Sequence, residues 1–198
     1  MSRRQNWYPN DQPKYPDERQ RYPNLTGDAG VCSEPKPSVA LPSFEPEFAA
    51  VLDRLAPSRI TVLLVGKSQR SSRAVAWALH QRSPRAAHPF AAFDCKGRDS
   101  ENTELALFGG PEYAAVELGA IRAAGAGTLY VSAIDELPLL VQPRFLRFLD
   151  QEREVRVVTS TDEDLLTRVE QGQFRLDLAE RLSLVELMLP SALAQLEK

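Results

Sequence analysis

Apolar positions recur along most of the chain in two alternating rhythms: short unbroken runs rich in β-branched residues, and longer stretches in which they return every third or fourth residue. The first rhythm is that of strands buried on both faces, the second that of helices with one apolar side. Phe44, Phe48, Val51, Leu52 and Leu55 fall at helical spacing, with Glu45 and Glu47 near the start, where the helix dipole favours acids. Pro57 and Ser58 break that helix, and Ile60 to Val65 is a nearly continuous run that predicts a central strand ending at Gly66. A polar loop follows. Ala74 to His80 predicts the next helix, which ends near Ser83-Pro84 because a proline cannot continue it. Pro89 to Asp94 reads as a strand, Glu101 to Phe108 as a helix, Gly109-Gly110-Pro111 as a breaker and Gly119 to Ala124 as a short helix or turn. Thr128 to Ile134 predicts a strand, Leu139 to Leu149 a helix, Val155 to Thr159 a strand, Asp164 to Gln171 a helix and Leu184 to Leu189 a last strand closed by Pro190. Strands alternate with helices, so the economical arrangement is an α/β fold whose parallel sheet is covered on both faces by helices.

Before Phe44 both rhythms vanish. Residues 1–43 are dominated by Pro, Asn, Asp, Arg, Gln and Tyr, with few aliphatic side chains to bury, which predicts a flexible or extended tail ahead of a core spanning 44–198. Within it Tyr8-Pro9, Tyr15-Pro16 and Tyr22-Pro23 recur at a spacing of seven, each followed by Asn or Asp. The repeat has two readings. It is a solvated spacer, or it is a linear binding motif in which polyproline-like backbone and the rings of Trp7, Tyr8, Tyr15 and Tyr22 anchor on a protein partner.

Composition narrows the classes. A 198-residue chain with 43% hydrophobic residues can hold one good-sized core, and a formal net charge of -3 with mixed signs gives no basic face for bulk nucleic-acid binding. Cys32 and Cys95 lie far apart with no C-x-x-C spacing, which argues against a disulfide framework or a zinc site. His80 and His88 have no carboxylate or cysteine at ligand spacing, and His80, near a helix end, reads as a cap or surface residue. No apolar run approaches the roughly 18 residues a membrane span needs, so a cytoplasmic protein without bound metal or cofactor is expected.

The strongest chemical signal lies between Ile60 and Leu79. Strand, polar loop and helix there have the layout of the phosphate-binding P-loop, G-x-x-x-x-G-K-[ST], in which backbone N–H groups cradle phosphates, the lysine neutralises them and the hydroxyl holds magnesium. Gly66 opens the loop, but Ser71 stands in place of the second glycine and Ser72 in place of the lysine.

The segments VLLVGKSQRSSRAVAWALHQRSPR, PFAAFDC, ELALFG, GTLYVSAIDELPLLVQPRFLRFL, VRVVTSTDEDL and GQFRLDLAERLSLVELMLP follow one another in an order that resembles the AAA+ domain of NtrC-like bacterial enhancer-binding proteins, the sigma-54 activators. The family pattern runs GESGTGKE, SPR, PF, LFG, GAFTGA, GTLFLDEIGELP, ATNRDL and FREDLYYRL. The resemblance covers about Ile60 to Pro190 and implies a P-loop NTPase-like AAA+ core. It also identifies which chemistry is missing. Ser132 and Ala133 stand where the family has the magnesium-organising acid and the water-polarising glutamate, and Asp162 stands where a neutral amide would face the terminal phosphate. Asp135 and Glu136 do not replace the lost pair, because three residues along a strand reverse the face and move the group about 10 Å. Lys67 and Arg70 place charge nearby but cannot supply a cradle that depends on glycine conformations.

Arg175 and Arg181 match the arginines the family presents across a subunit boundary; either they keep that role or they are surface arginines paired with Asp177 or Glu180. Only GGPEYAAVEL stands where the family carries the sigma-contacting GAFTGA loop, and the chain ends at Lys198, where the family continues into a helical lid and a DNA-binding helix-turn-helix. The resemblance therefore implies a truncated, non-catalytic pseudo-AAA+ core, with no direct DNA contact, that acts through protein partners as a regulator or as a subunit of an assembly, an AAA+ relative among the candidates. The alternative is a residual ATP-binding protein that regulates transcription together with a sigma-54 activator. A third reading makes the core a scaffold and gives recognition to the Tyr-Pro tail.

Overall fold

The computed structural model describes residues 32–33, 44–110, 119–151 and 154–190. Its sheet contains β1 (Cys32–Ser33), β2 (Val62–Val65), β3 (Phe90–Asp94), β4 (Thr128–Ser132), β5 (Arg156–Thr161) and β6 (Glu186–Met188), in the spatial order β1-β3-β4-β5-β2-β6. β2 to β6 are mutually parallel, and β1 lies antiparallel on β3 with Cys32 opposite Ala92.

Alternate residues of each strand feed two separate cores, one on each face. Val62, Leu64, Phe90, Ala92, Tyr130 and Val158 pack under helices α1 (Pro46–Leu55) and α2 (Gln69–Gln81), through Leu52, Val75, Ala76 and Leu79. Leu63, Ala91, Phe93, Leu129, Val131 and Val157 face the other way, onto α3 (Ser100–Phe108), α4 (Ala120–Ala124), α5 (Gln142–Asp150), α6 (Leu165–Glu170) and α7 (Leu176–Leu182). Burial on both faces is why the strands read as continuous apolar runs. The parity places Asp94 and Ser132, which continue the series of Ala92 and Tyr130, on the α2 side at the carboxyl ends of their strands, where open α/β sheets present their ligand crevice.

Four expectations change. The edge strand β1 comes from the stretch read as tail: β3 has an edge of unpaired backbone groups, and a short extended segment needs no core of its own to cover it. The strand expected over Thr128 to Ile134 stops at Ser132, because β3 supplies its last partner there, Asp94; Ala133 then turns left-handed (φ 50, ψ 49) into a 3-10 turn at Ile134–Glu136. Leu176–Leu182 is a helix that the apolar pattern did not announce. His80 is buried, 1% exposed, not a surface residue: it lies one turn beyond Ala76 on the sheet-facing side of α2, between Trp77 and Phe90, and its Nδ1 is 3.0 Å from Thr128 Oγ1.

The base of the sheet is tied to α1 by a residue the pattern gave no reason to single out. Arg156 is fully buried and donates from Nη1 to Ala56 O (2.8 Å) and from Nη2 to Leu55 O (3.0 Å). A cation there satisfies orphan carbonyls at a helix C-terminus. Burial, with Arg85 nearby, lowers its pKa to about 10.

Candidate functional site

In a P-loop the helix follows the glycine-lysine end of the motif. In this chain it begins inside the motif. Gly66, Lys67 and Ser68 are the whole loop, and Gln69 is already helical, five residues ahead of the helix expected at Ala74. Gln69 and Ser71 stand in place of the inner glycines, and Ser68 caps the helix that begins there. The Ser71 N–H donates to Ser68 Oγ at 3.2 Å, and both the N–H and the Oγ of Ser72 donate to Ser68 O at 3.0 Å. An N-cap of this kind stabilises a helix by about 1 kcal/mol. Ser71 and Ser72 are buried at 2% and 1% exposure, so neither offers a group to a ligand above the loop. Gly66 keeps a packing reason to be glycine, since a Cβ there would meet the Leu189 side chain at 3.0 Å.

The space beside this turn, where the acids of a working site would organise magnesium, is closed by a different network. Gln69 Nε2 donates to Asp94 Oδ2 (2.9 Å) and to Ser132 Oγ (3.0 Å), and Ser132 Oγ donates to Asp94 Oδ1 (3.1 Å). The Lys96 N–H also reaches Asp94 Oδ1, at 3.2 Å. Both oxygens of the one carboxylate lining this space are thus engaged. Beneath, the Tyr130 hydroxyl is 2.8 Å from Ser160 Oγ, and burial pushes its phenol above the usual range. A cavity of about 440 Å³ is left, lined by Gln69, Arg70, Arg73, Asp94, Tyr130 and Ser132. Its polar groups are two guanidiniums, an amide, two hydroxyls and one committed acid. That set does not fit a magnesium-nucleotide, which needs a free metal-binding acid, a lysine and a backbone cradle.

The remaining candidates lie apart from this cavity. Ala133 follows Ser132 with its backbone turned left-handed. Asp162 is exposed in the turn after β5. Asp135 is buried and accepts from Thr161 Oγ1 at 2.9 Å, with Arg168 Nη2 at 3.5 Å from its other oxygen, while Glu136 accepts from the Gly97 N–H. Both acids are therefore structural.

Arg175 is exposed and donates from Nε and Nη2 to Asp177, at 3.0 and 2.6 Å, which holds the Asp177 carboxyl below the usual range. Arg181 donates from Nε to Asp150 Oδ1 and from Nη2 to Leu149 O, both at 3.0 Å, at the C-terminal end of α5. Of the two pairings weighed for these arginines, Asp177 holds the first, and neither arginine uses Glu180. Gly109 and Gly119 bring the ends of the segment 111–118 together: a Cβ on Gly119 would lie 2.2 Å from Gly109 N. That segment, and Trp7, Tyr8, Tyr15 and Tyr22, lie outside the described residues. Cys95 is buried, and burial pushes its thiol well above the usual range.

Comparison with known proteins places this geometry. A family model described as the sigma-54 interaction domain matches residues 44–188. The chain is 34% identical over 161 residues to the DNA-binding transcriptional regulator NtrC of Proteus hauseri, a match covering 73% of this chain and 34% of that protein. It is 36% identical over 170 residues to the alginate biosynthesis transcriptional regulatory protein AlgB of Pseudomonas aeruginosa, covering 76% and 38%. Among solved structures, NtrX from Brucella abortus in complex with ATP superposes with a TM-score of 0.68 at 27% identity, covering 78% of this chain and 39% of that one. The chain thus spans about a third of the length of the curated relatives it matches.

Proposed function

The chain belongs to the sigma-54 interaction domain family, and from that premise we propose that it regulates sigma-54-dependent transcription by binding protein partners, without hydrolysing ATP. The observation that carries this reading is the start of α2. Ser68 caps the helix from within the phosphate-binding motif, so the Ser71 and Ser72 N–H groups of that motif are bonded to Ser68. The Gln69, Asp94 and Ser132 network supports it from the metal side. A AAA+ core without its nucleotide chemistry keeps the surfaces through which such domains pack against one another, and the natural partner is an active relative of the same family. Inserted into or capping a ring of such subunits, this chain contributes contacts and no turnover.

The test is calorimetric titration of the full chain with ATP and magnesium, followed by co-sedimentation with an active AAA+ relative. The reading expects no saturable ATP binding and a stable co-complex. Binding of ATP tighter than about 100 μM overturns it. A second reading, a nucleotide held in an altered way, draws support from the cavity of about 440 Å³ that Arg70 and Arg73 flank. It predicts binding that is lost in Arg70→Gln and indifferent to magnesium. The tail is tested separately by deleting residues 1–43; undiminished capture of the partner assigns recognition to the core.

A further inference from the structure

At the opposite end of the sheet from the P-loop, we propose a second site: a basic pocket around Arg85 and Arg59 that binds a small, doubly charged oxyanion of the phosphate class. This inference is independent of the function proposed above.

The pocket is a cleft of about 470 Å³ whose lining includes Arg59, Arg85, His88 and Glu154, at the rim where β3, β4 and β5 begin. Its central group is Arg85, a guanidinium residue only 9% exposed. Buried charges are ordinarily paired. Among the described residues, no carboxylate comes within ion-pair distance of Arg85, although six other arginine-acid contacts form elsewhere. Its surroundings are instead positive: burial and the charge of Arg59 both lower its pKa, and Arg85 in turn depresses that of the buried Arg156 behind it.

The loop that carries Arg85 is fixed. The Arg85 N–H donates to Ser83 Oγ (3.1 Å), Ser83 Oγ donates to His80 O (2.7 Å), and the His88 N–H donates to Arg85 O (2.8 Å). A preorganised loop holds its guanidinium against electrostatic repulsion and gives a ligand a ready position. The charge sets the class of ligand. Arg59 and Arg85 line the cleft with one acid, Glu154, and Arg156 lies buried behind Arg85, so among the described residues three positive charges here meet one negative, an excess of two. A dianion matches that excess, and planar guanidiniums are the side chains best suited to phosphate oxygens.

The probe is inorganic pyrophosphate, titrated into the full chain by calorimetry, with citrate as a control for carboxylate chemistry. Saturable binding is expected, stronger for pyrophosphate than for citrate. Arg85→Gln weakens it by about tenfold or more, the loss of one charge-assisted contact. Arg59→Gln, an exposed change that spares the fold, weakens it less, and Glu154→Gln tightens it. Arg70→Gln, at the degenerate P-loop, leaves it unchanged. The proposal is overturned by absence of binding up to about 10 mM, roughly the weakest affinity of interest. It is equally overturned by binding that survives both Arg59→Gln and Arg85→Gln or is lost in Arg70→Gln, or by citrate binding as tightly as pyrophosphate.

Discussion

Gln69 Nε2 lies 3.0 Å from Ser132 Oγ, so the first residue of α2 is hydrogen-bonded to the residue that stands where the family pattern has its magnesium acid. The two departures from the family pattern are therefore in contact, and reverting one of them alone should harm the protein. Ser132→Asp places a second carboxylate where the present hydroxyl sits 3.1 Å from Asp94 Oδ1. Two carboxylates that close cannot both ionise, and one pKa rises in the folded state. The folded protein then holds a proton that the unfolded chain releases, so stability falls as pH rises. Expected is a loss of about 2 kcal/mol at pH 7, recovering toward pH 5, with no gain of ATPase activity. Urea denaturation of the variant at both pH values checks it; equal losses at the two would refute the pairing.

Arg156 is a second dependable lever. Arg156→Met keeps the stem but leaves the Ala56 and Leu55 carbonyls without their donors. Unsatisfied buried acceptors cost about 1–3 kcal/mol each, offset in part by relief of a buried charge. A net loss of about 2 kcal/mol is expected, concentrated in α1, and Arg156→Lys does not rescue it because one ammonium cannot reproduce the fork. Hydrogen exchange at Leu52 should quicken more than at Leu129. Uniform acceleration would argue against a local role.

These two cases mark what the sequence could and could not disclose. The parallel sheet was legible because its strands are buried on both faces, and Ile60 to Val65 and Thr128 to Ser132 read as apolar runs for that reason alone. The departures from the family pattern at Ser72 and Ser132 were legible as letters. Their consequence was not: the early helix depends on a Ser68 cap that only geometry discloses, since a serine in a polar loop has many uses. Arg156 was hidden for the opposite reason. A charged residue inside an apolar run signals an edge or an end, and nothing in spacing shows that a carbonyl pair waits 100 residues earlier in the chain. His80 misled because sequence proximity to a helix end says nothing of which side that end presents.

Acid should weaken the fold through His80. Its burial, with Arg156 adding to the effect, pulls its pKa from 6.5 to about 4. The unfolded chain therefore binds a proton more readily than the folded one between those values, so the contribution is full above pH 6.5 and is lost as pH falls toward 4. The change is on the order of 3 kcal/mol across the window. Denaturation midpoints at pH 7 and pH 5 should separate in the native chain and converge in His80→Phe, after allowing for the lost bond to Thr128. An equal pH response in that variant would assign the slope to other groups.

Arg175 and Arg181 should separate cleanly, although the sequence pairs them. Arg181 bonds Leu149 O and Asp150 at the C-terminal end of α5, a position where a cation meets orphan carbonyls, and the side chain is only 27% exposed. Arg181→Ala should cost about 1 kcal/mol of stability. Arg175 is 43% exposed and paired with Asp177 two residues away, an arrangement worth between zero and about 1 kcal/mol in solvent. Arg175→Ala should therefore leave thermal stability nearly unchanged. If a neighbouring subunit recognises this surface, the same change weakens co-sedimentation with an AAA+ relative, because it removes the cation and leaves Asp177 as an uncompensated negative charge at the contact. Stability and assembly are then reported by different arginines. Loss of co-sedimentation in Arg175→Ala at an unchanged melting temperature would assign Arg175 to the interface, whereas parallel loss of both would reduce it to a structural ion pair.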